Sequence, residues 1–431
     1  MRIIIISKEG DALDLAIRLK REAHKVKLAI QDQDFSKVGS GFGLGKVQHW
    51  RKALPWVGKD GLIIFDQIGW GSEQDKLRRF GYSVVGGSEG GDQVEFNRKY
   101  AQEIFKKYGM KTVRSEHFRS VEEAIRFVRK NKGRWVIKQN GHVDKCFSYN
   151  GERADGSDVI DLLQNYKKFN SHECVSIDLH KRVVGVELGV ARYFNGLEWI
   201  GPIEMNIEHK KLFSGSYGPK TSEMGTLVWY DDNEKNKLFN ETLAKLKPYL
   251  RKINFRGDID INCIVNEGGA IPLEATPRFG YPAIHVQSLL NLSPWGEFLK
   301  AVADGKDYSL KWRRGIGIVI LSAVPPFPYE SVNRKYSPEG LRIYFEEKLN
   351  SEEWNHIHFC EVSRLKGEYV ISAKSGYVLC VTGFGKTAEK AREAAYGLIK
   401  KLCIPRMFFR NDIGLKFIER DRKLLKKWGY L

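Results

Sequence analysis

Ile3 to Ile6 forms an unbroken apolar run of strand length, followed by a loop with Gly10 and then by Leu13, Ala16, Ile17 and Leu19 at helical spacing. A second apolar run, 26–30, follows, and two more at 61–65 and 82–87 flank a helical stretch that starts near Ser72. Strand, helix, strand at this spacing predicts a parallel sheet with right-handed crossovers, hence a small doubly wound α/β unit over 1–97.

The period then changes. Residues 97–108 place Tyr100, Ile104 and Phe105 on one face of an amphipathic helix, and Ser120 with Glu123 reads as a capping box opening the helix 120–131. A strand at 134–139, a polar glycine-containing stretch, a helix at 158–167 and a strand at 173–179 complete a small unit over about 113–182. From 183 to 310 the chain is rich in strands, with long ones at 183–194 and 256–265, a helix at 233–250 and another near 284–303. The strands 315–321 and 376–383 and the helix 387–402 form the last part, with no tandem repeat. The predicted division is 1–97, 98–312 and 313–431.

Composition narrows the class. With 42% hydrophobic and 29% charged residues over 431 positions, the chain can bury a large core, which excludes global disorder and a disulfide-held scaffold. The formal charge of +18 favours anionic partners and leaves binding to nucleic acid open. Cys146, Cys174, Cys263, Cys360, Cys380 and Cys403 show no CxxC pair, so the spacing argues against zinc and for thiols packed as small hydrophobes in a reducing cytoplasm. The leading isoleucines are too few for a signal segment or a membrane span, and a monomer or dimer is expected.

Chemistry concentrates in Arg256–Gly280, two strands joined by a glycine turn. Alternation puts Asp258, Asp260 and Asn262 on one face. A three-residue turn at 267–269 sets Asn262 opposite Glu274 and Asp260 opposite Thr276, whereas an even-length turn moves Asp260 to the other face from Glu274. Oxygen ligands on facing strands suit Mg²⁺, and Arg278 is a fork of donors for an anionic oxygen. The same pattern also fits a hairpin with a solvated polar face. A second segment, 207–225, combines His209, Lys210 and Lys211 with glycines whose backbone N–H groups can approach a phosphate, and Lys138 ends an apolar strand within reach of one.

In order, these segments resemble the glycinamide ribonucleotide synthetase (phosphoribosylamine-glycine ligase) family of the ATP-grasp superfamily. GPKTSEMG (218–225) is similar to its GPNTGGMG, EHKK (208–211) to its DHKR, and RGDIDINCIVNEGGAIPLEATPRFG to its RG hairpin ending in EFNVRFGD. GYVLCVTGFGKTAEKAREAAY (376–396) and FRNDIG (409–414) resemble GRVLGVTALG with its following helix and YRRDIG.

The resemblance implies an ATP-grasp fold, α/β and α+β, preceded by the doubly wound domain and followed by a small α/β domain, with 113–182 as the nucleotide clamp. It implies ATP bound by Arg98, Lys138, Asp178, Glu187 and Lys210, and Mg²⁺ or Mn²⁺ on Glu274 with Asp260 or Asn262, since Thr276 replaces the family's Asn. Pro219, Met224, Gly225 and Arg278 would face the substrates, with Lys210 and Arg278 catalytic. The activity implied is amide formation from a carboxylate, glycine foremost, and an amine through an acylphosphate.

Departures fall mostly on the acceptor side. The family's GSGGREHA is SKEGDALD (7–14), which puts Glu9 and Asp11 where a phosphate would sit. RFGDPE is RFGYPA (278–283), HAGT is HFCE (358–361) with His358 read as a packing or surface residue, and the closing loop KADGLAAGKGV is KQNGHVDKCFSYNG (138–151). Three functions follow: a ligase for phosphoribosylamine, a paralogue acting on another amine such as a modified nucleic-acid base, or a silent ATP-grasp binding module.

Overall fold

In a computed structural model of the chain, residues 1–138, 148–169, 177–329 and 337–431 are described. Cys146, Cys174, most of the closing loop and the start of the strand expected at 173–179 lie outside them.

Five parallel strands form the first sheet, in the order Gly45–Lys46, Lys25–Ile30, Arg2–Ser7, Leu62–Phe65, Val84–Val85. Helices cover both faces, which is why the central strands are continuous isoleucine and leucine runs rather than alternating ones. The edge strand Gly45–Lys46 carries too little hydrophobic pattern to be read from the sequence.

The helix Arg98–Lys107 starts where the Asn97 side chain accepts from the Tyr100 N–H at 3.0 Å. It leads into a four-stranded antiparallel sheet, Ser115–Phe118, Ile177–Lys181, Trp135–Lys138, Tyr149–Asn150, backed by the helices Val121–Lys130 and Ser157–Phe169. Val121, Ala124, Val128, Trp135, Ile137 and Leu179 form this unit's own core. Ser120 caps the Glu123 N–H at 3.2 Å, but the Glu123 carboxylate reaches back to the Arg119 N–H, one residue before the position a capping box uses.

An eight-stranded antiparallel sheet holds the rest together. Its order is Gly269–Thr276, Arg256–Asn266, Val186–Asn195, Trp199–Glu208, Gly225–Asp231, Ile316–Ala323, Tyr377–Gly385, Ile357–Phe359. Strands from both sides of residue 313 share this sheet, so the division expected there falls within one hydrogen-bonded layer.

Two expected helices are broken. The stretch 233–250 becomes Lys237–Glu241, a short 3-10 turn and Lys247–Lys252, because Thr242 leaves helical geometry while its hydroxyl caps the Leu238 carbonyl. The stretch 284–303 becomes Ala283–Leu290 and Trp295–Asp304, since Pro294 cannot donate within a continuous helix. Among the described residues, no helix is long and apolar enough to cross a membrane.

Candidate active site

The hairpin reaches the expected register by another route. Its turn has two residues, Glu267 and Gly268, because Asn266 pairs with Gly269. A bulge then leaves Leu273 extra, so that Cys263 faces Pro272 but Asn262 faces Glu274 and Asp260 faces Thr276. Pro272, which has no N–H to give to a ladder, sits beside this irregularity on the edge strand.

Gly189 explains how polar side chains meet across three strands. It pairs with Asn206 on one side and Asn262 on the other, and a Cβ there would overlap the Asn206 amide. With that space open, Asn206 Nδ2 donates to Asp260 Oδ2 at 2.6 Å, and the Asn262 amide donates to Glu208. Lys210 Nζ bridges Glu208 at 2.8 Å and Glu274 at 2.6 Å, and Arg98 reaches Glu274 at 3.3 Å.

Charge is matched here at short range. The Lys210 ammonium holds the Glu274 carboxyl well below its usual range, against burial and with help from Arg98 and Lys138. Burial works against the Lys210 ammonium, yet Glu208 and Glu274 hold it well above the ordinary lysine value. Among the described residues Lys138 has no ion pair at contact distance: burial, then Lys220, with Arg98 and Lys210, bring it down to about 7 against the pull of Glu274. Asp260 is pushed up by burial and by Glu208. Among the described residues, buried Asn262 Oδ1 has no hydrogen-bond partner, which leaves an oxygen donor on the strand facing Glu274. That donor set, one carboxylate and one neutral oxygen on facing strands, fits a hard divalent cation that keeps other positions for water and phosphate.

The remaining expected residues divide. Asp178 faces Lys138 across the small sheet and pairs with His117 at 2.7 Å. Glu187 lies on the inner strand, where its charge supports Lys210 and Lys220. Pro219 is half-buried on the short strand Tyr217–Lys220. The Met224 side chain is fully buried, its N–H donates to the His209 carbonyl and its own carbonyl accepts from Leu321. Gly225 is packed against the Val319 carbonyl and shapes the strand instead.

Arg278 stands apart from Glu274. It donates to Glu95 at 3.1 Å and to the Phe279 carbonyl at 3.0 Å, and its charge acts on Asp11 and Tyr281. Around it gathers an acidic group in which Glu9 and Asp11 were signalled by the departure at 7–14 and Asp66 was not. Burial, then Glu9, raises Asp11 to about 6, and burial with Asp11 raises Asp66 well above its usual range. Glu361 is pushed up to about 8 by burial. The loop's Gly10 N–H is already used, donating to Ser7 Oγ at 2.9 Å, and Ser7 donates to Asp66 at 2.6 Å.

His358 is a buried residue with two hydrogen bonds, to Asp14 at 2.8 Å and Thr382 at 2.9 Å. His285, Cys360 and Cys380 converge beside it from separate segments, although their spacing in the chain had argued against a metal site. Only the departure at 358–361 signalled this region.

A model of the phosphoribosylglycinamide synthetase ATP-grasp (A) domain matches residues 96–283, and one of the same synthetase's C domain matches 334–416. The chain belongs to the phosphoribosylglycinamide synthetase family. It is thereby a C–N bond-forming ligase of ATP-grasp architecture.

Phosphoribosylamine–glycine ligase from Clostridium acetobutylicum is 25% identical over 362 residues, covering 79% of this chain and 80% of that one. The crystal structure of phosphoribosylamine–glycine ligase from Thermotoga maritima superposes with a TM-score of 0.70 at 22% identity, covering 96% of this chain and all of that one. The biotin carboxylase domain of Hydrogenobacter thermophilus 2-oxoglutarate carboxylase, solved with MgADP and bicarbonate, shares the fold at a TM-score of 0.66 and 11% identity, covering 99% of this chain and 98% of that one. The synthetase family's two models therefore span Arg98, Lys138, Lys210 and Glu274 and the segments that carry His358, Cys360 and Cys380, whereas Asp11 and Asp66 lie outside both.

Proposed function

We propose that the chain is an ATP-dependent carboxylate–amine ligase that activates a small amino acid, glycine foremost, and passes it to an amine other than ordinary phosphoribosylamine. The observation that carries the ligase reading is the bridge of Lys210 and Arg98 onto Glu274, with the free Asn262 oxygen facing it.

ATP would lie against Arg98, Lys138 and Lys210, with the small four-stranded unit that carries Lys138 and Asp178 as the clamp. These cations draw the phosphates in and offset the charge on the transferring phosphoryl group, as the substrate carboxylate oxygen attacks it and ADP leaves. Glu274 and Asn262 would hold Mg²⁺ or Mn²⁺, with Asp260 fixed behind them by Asn206; when bound, the ion adds electrostatic stabilisation to the same phosphates. Lys138, near neutrality in the free chain, becomes fully charged once the phosphates arrive. The amine then displaces phosphate from the acylphosphate, giving the amide.

At the acceptor end, Asp11, Asp66, Glu361 and Glu9 surround the loop where the family's glycines receive a phosphate. A phosphomonoester placed there would meet the charge of Asp11 once that carboxyl ionises above about pH 6, with Arg278 already engaged by Glu95, whereas an amine would not. The test is ADP release with Mg-ATP and glycine against three acceptors: phosphoribosylamine generated in place, an aminoalkyl compound without phosphate, and DNA with an amine-bearing base. We expect release that needs both the amino acid and an amine and that is weakest with phosphoribosylamine. Fastest turnover with phosphoribosylamine overturns the acceptor reading, and no release with any pair overturns the ligase reading.

A further inference from the structure

Three parts of the chain meet at one buried point beyond Arg278. In the antiparallel pair of Ile357–Phe359 and Tyr377–Gly385, His358 lies opposite Cys380, and Cys360 is two residues on from His358. Alternation therefore turns all three side chains to one face. The helix Ala283–Leu290 lays His285 against that face, its ring stacked on His358 at 4.8 Å.

His285 Nε2 is 4.0 Å from Cys360 Sγ, and its Nδ1 is 3.5 Å from Asp14 Oδ2, which also accepts from His358 Nδ1 at 2.8 Å. One donor atom each from His285, Cys360 and Cys380 lies within 4.8 Å of the others. His285 and Cys360 are 1% exposed and Cys380 is 0% exposed.

These contacts are long for a packed core. The His285 imidazole reaches Asp14 at 3.5 Å and Cys360 at 4.0 Å and also faces the Cys380 thiol, so Asp14 orients the ring while the sulfurs stand off from it. A Cys–His–Asp nucleophile would need a path for its electrophile, and both sulfurs are shut off from solvent.

We propose that His285 Nε2, Cys360 Sγ and Cys380 Sγ bind one Zn²⁺, with water in the fourth position. In tetrahedral zinc sites the metal–ligand distances of roughly 2.0–2.3 Å place ligand atoms about 3.3–3.8 Å apart, so small side-chain rotations close this triangle. Two thiolates balance the ion's charge in a buried place, and their protons leave to solvent on binding. Soft sulfur donors select Zn²⁺ here, while the oxygen donors at Glu274 suit a hard cation. Asp14, on Nδ1 of His285, fixes the tautomer that turns Nε2 to the metal, the carboxylate–histidine–zinc arrangement. The ion would pin the central helix to the C-terminal strands and, through Asp14, to the first sheet, independently of how the acceptor is assigned.

The test starts from the full chain, reduced and stripped of metal, then loaded with Zn²⁺ or Co²⁺ without air. We expect about one zinc per chain after dialysis, and thiolate-to-cobalt charge-transfer bands in the cobalt form. Zinc content should fall at least about tenfold in Cys360→Ser/Cys380→Ser and in His285→Ala, and stay unchanged in Cys403→Ser and Glu274→Gln. The cobalt spectrum is read on the unsubstituted chain, so a variant that fails to fold does not decide the matter. The proposal is overturned by a cobalt form without thiolate bands or by undiminished zinc in the double variant. It also falls if a Cys360–Cys380 disulfide survives reduction.

Discussion

The cleft has two ends of opposite electrostatic design. At the Glu274 end, acids and cations alternate at ion-pair distance, so buried charges are neutralised in pairs: Lys210 with Glu208 and Glu274, and Arg98 with Glu274. At the Arg278 end, carboxyls outnumber cations, and Asp66 and Glu361 meet the cost of burial by holding their protons, as Asp11 does below about pH 6. The first arrangement is built to receive a polyanion and a hard cation. The second offers a phosphate Arg278, a cation already engaged by Glu95, and its soft donors lie deeper still.

The largest effect should come from breaking the paired end. Glu274→Gln leaves Lys210 with one carboxylate and removes a metal oxygen, and is expected to lower kcat for ADP release on the order of 10³-fold with the circular dichroism spectrum unchanged. A loss under about tenfold would show that the paired end does not carry the chemistry.

A stability measurement probes the acidic end. Glu361 keeps its proton in the folded chain up to about 8, against 4.5 for the free side chain. The stability tied to that proton is complete below pH 4.5 and is lost as pH rises toward 8. Glu361→Gln, which mimics the protonated form and keeps a partner for Ser375, should therefore gain on the order of 3 kcal/mol over the parent at pH 8 and almost nothing at pH 4, measured by denaturant unfolding. Equal effects at both pH values would remove the case for a buried neutral acid.

Lys138 sharpens the contrast through ATP itself. Its ammonium is half lost near pH 7 in the free chain. Phosphates favour the charged form, so above that pH binding must take up a proton, and ATP affinity should weaken by up to about tenfold per pH unit. Calorimetry in buffers of different ionisation enthalpy would report the uptake, and Lys138→Arg should flatten the profile.

The smallest change expected is at the acceptor mouth. Asp11→Asn should lower KM for a phosphate-bearing amine about fivefold and leave KM for ATP unaffected. An unchanged KM ratio would mean that Asp11 does not face the acceptor.

Much of the Glu274 end was legible in the chain. The alternation of Asp258, Asp260 and Asn262, the EHKK run and the strand-end Lys138 are local patterns, and a strand puts local patterns on one face whatever surrounds it. The register was correct for a reason that no local pattern contains: a two-residue turn compensated by a bulge at Leu273. For Met224, a motif match does not reveal that both of its backbone groups bond to neighbouring segments. Asp14, His285, Cys360 and Cys380 could not be assembled from spacing, since two come from separate helices, one from a strand and one from the bend after another strand, and their grouping exists only after four segments pack together.

By itself, then, the sequence determined the alternating parallel and antiparallel units, the ligase family and the existence of the hairpin over 256–276, because these rest on periodicity and short-range motifs; the pairing of Asn262 with Glu274 was settled by the bulge. Only the tertiary structure decided that one sheet runs on past residue 313, that Gly189 opens the space across which Asn206 and Asp260 meet, and that the acids near Arg278 are buried enough to stay protonated. Desolvation and long-range contact depend on what covers a residue, and no local pattern in the chain records that.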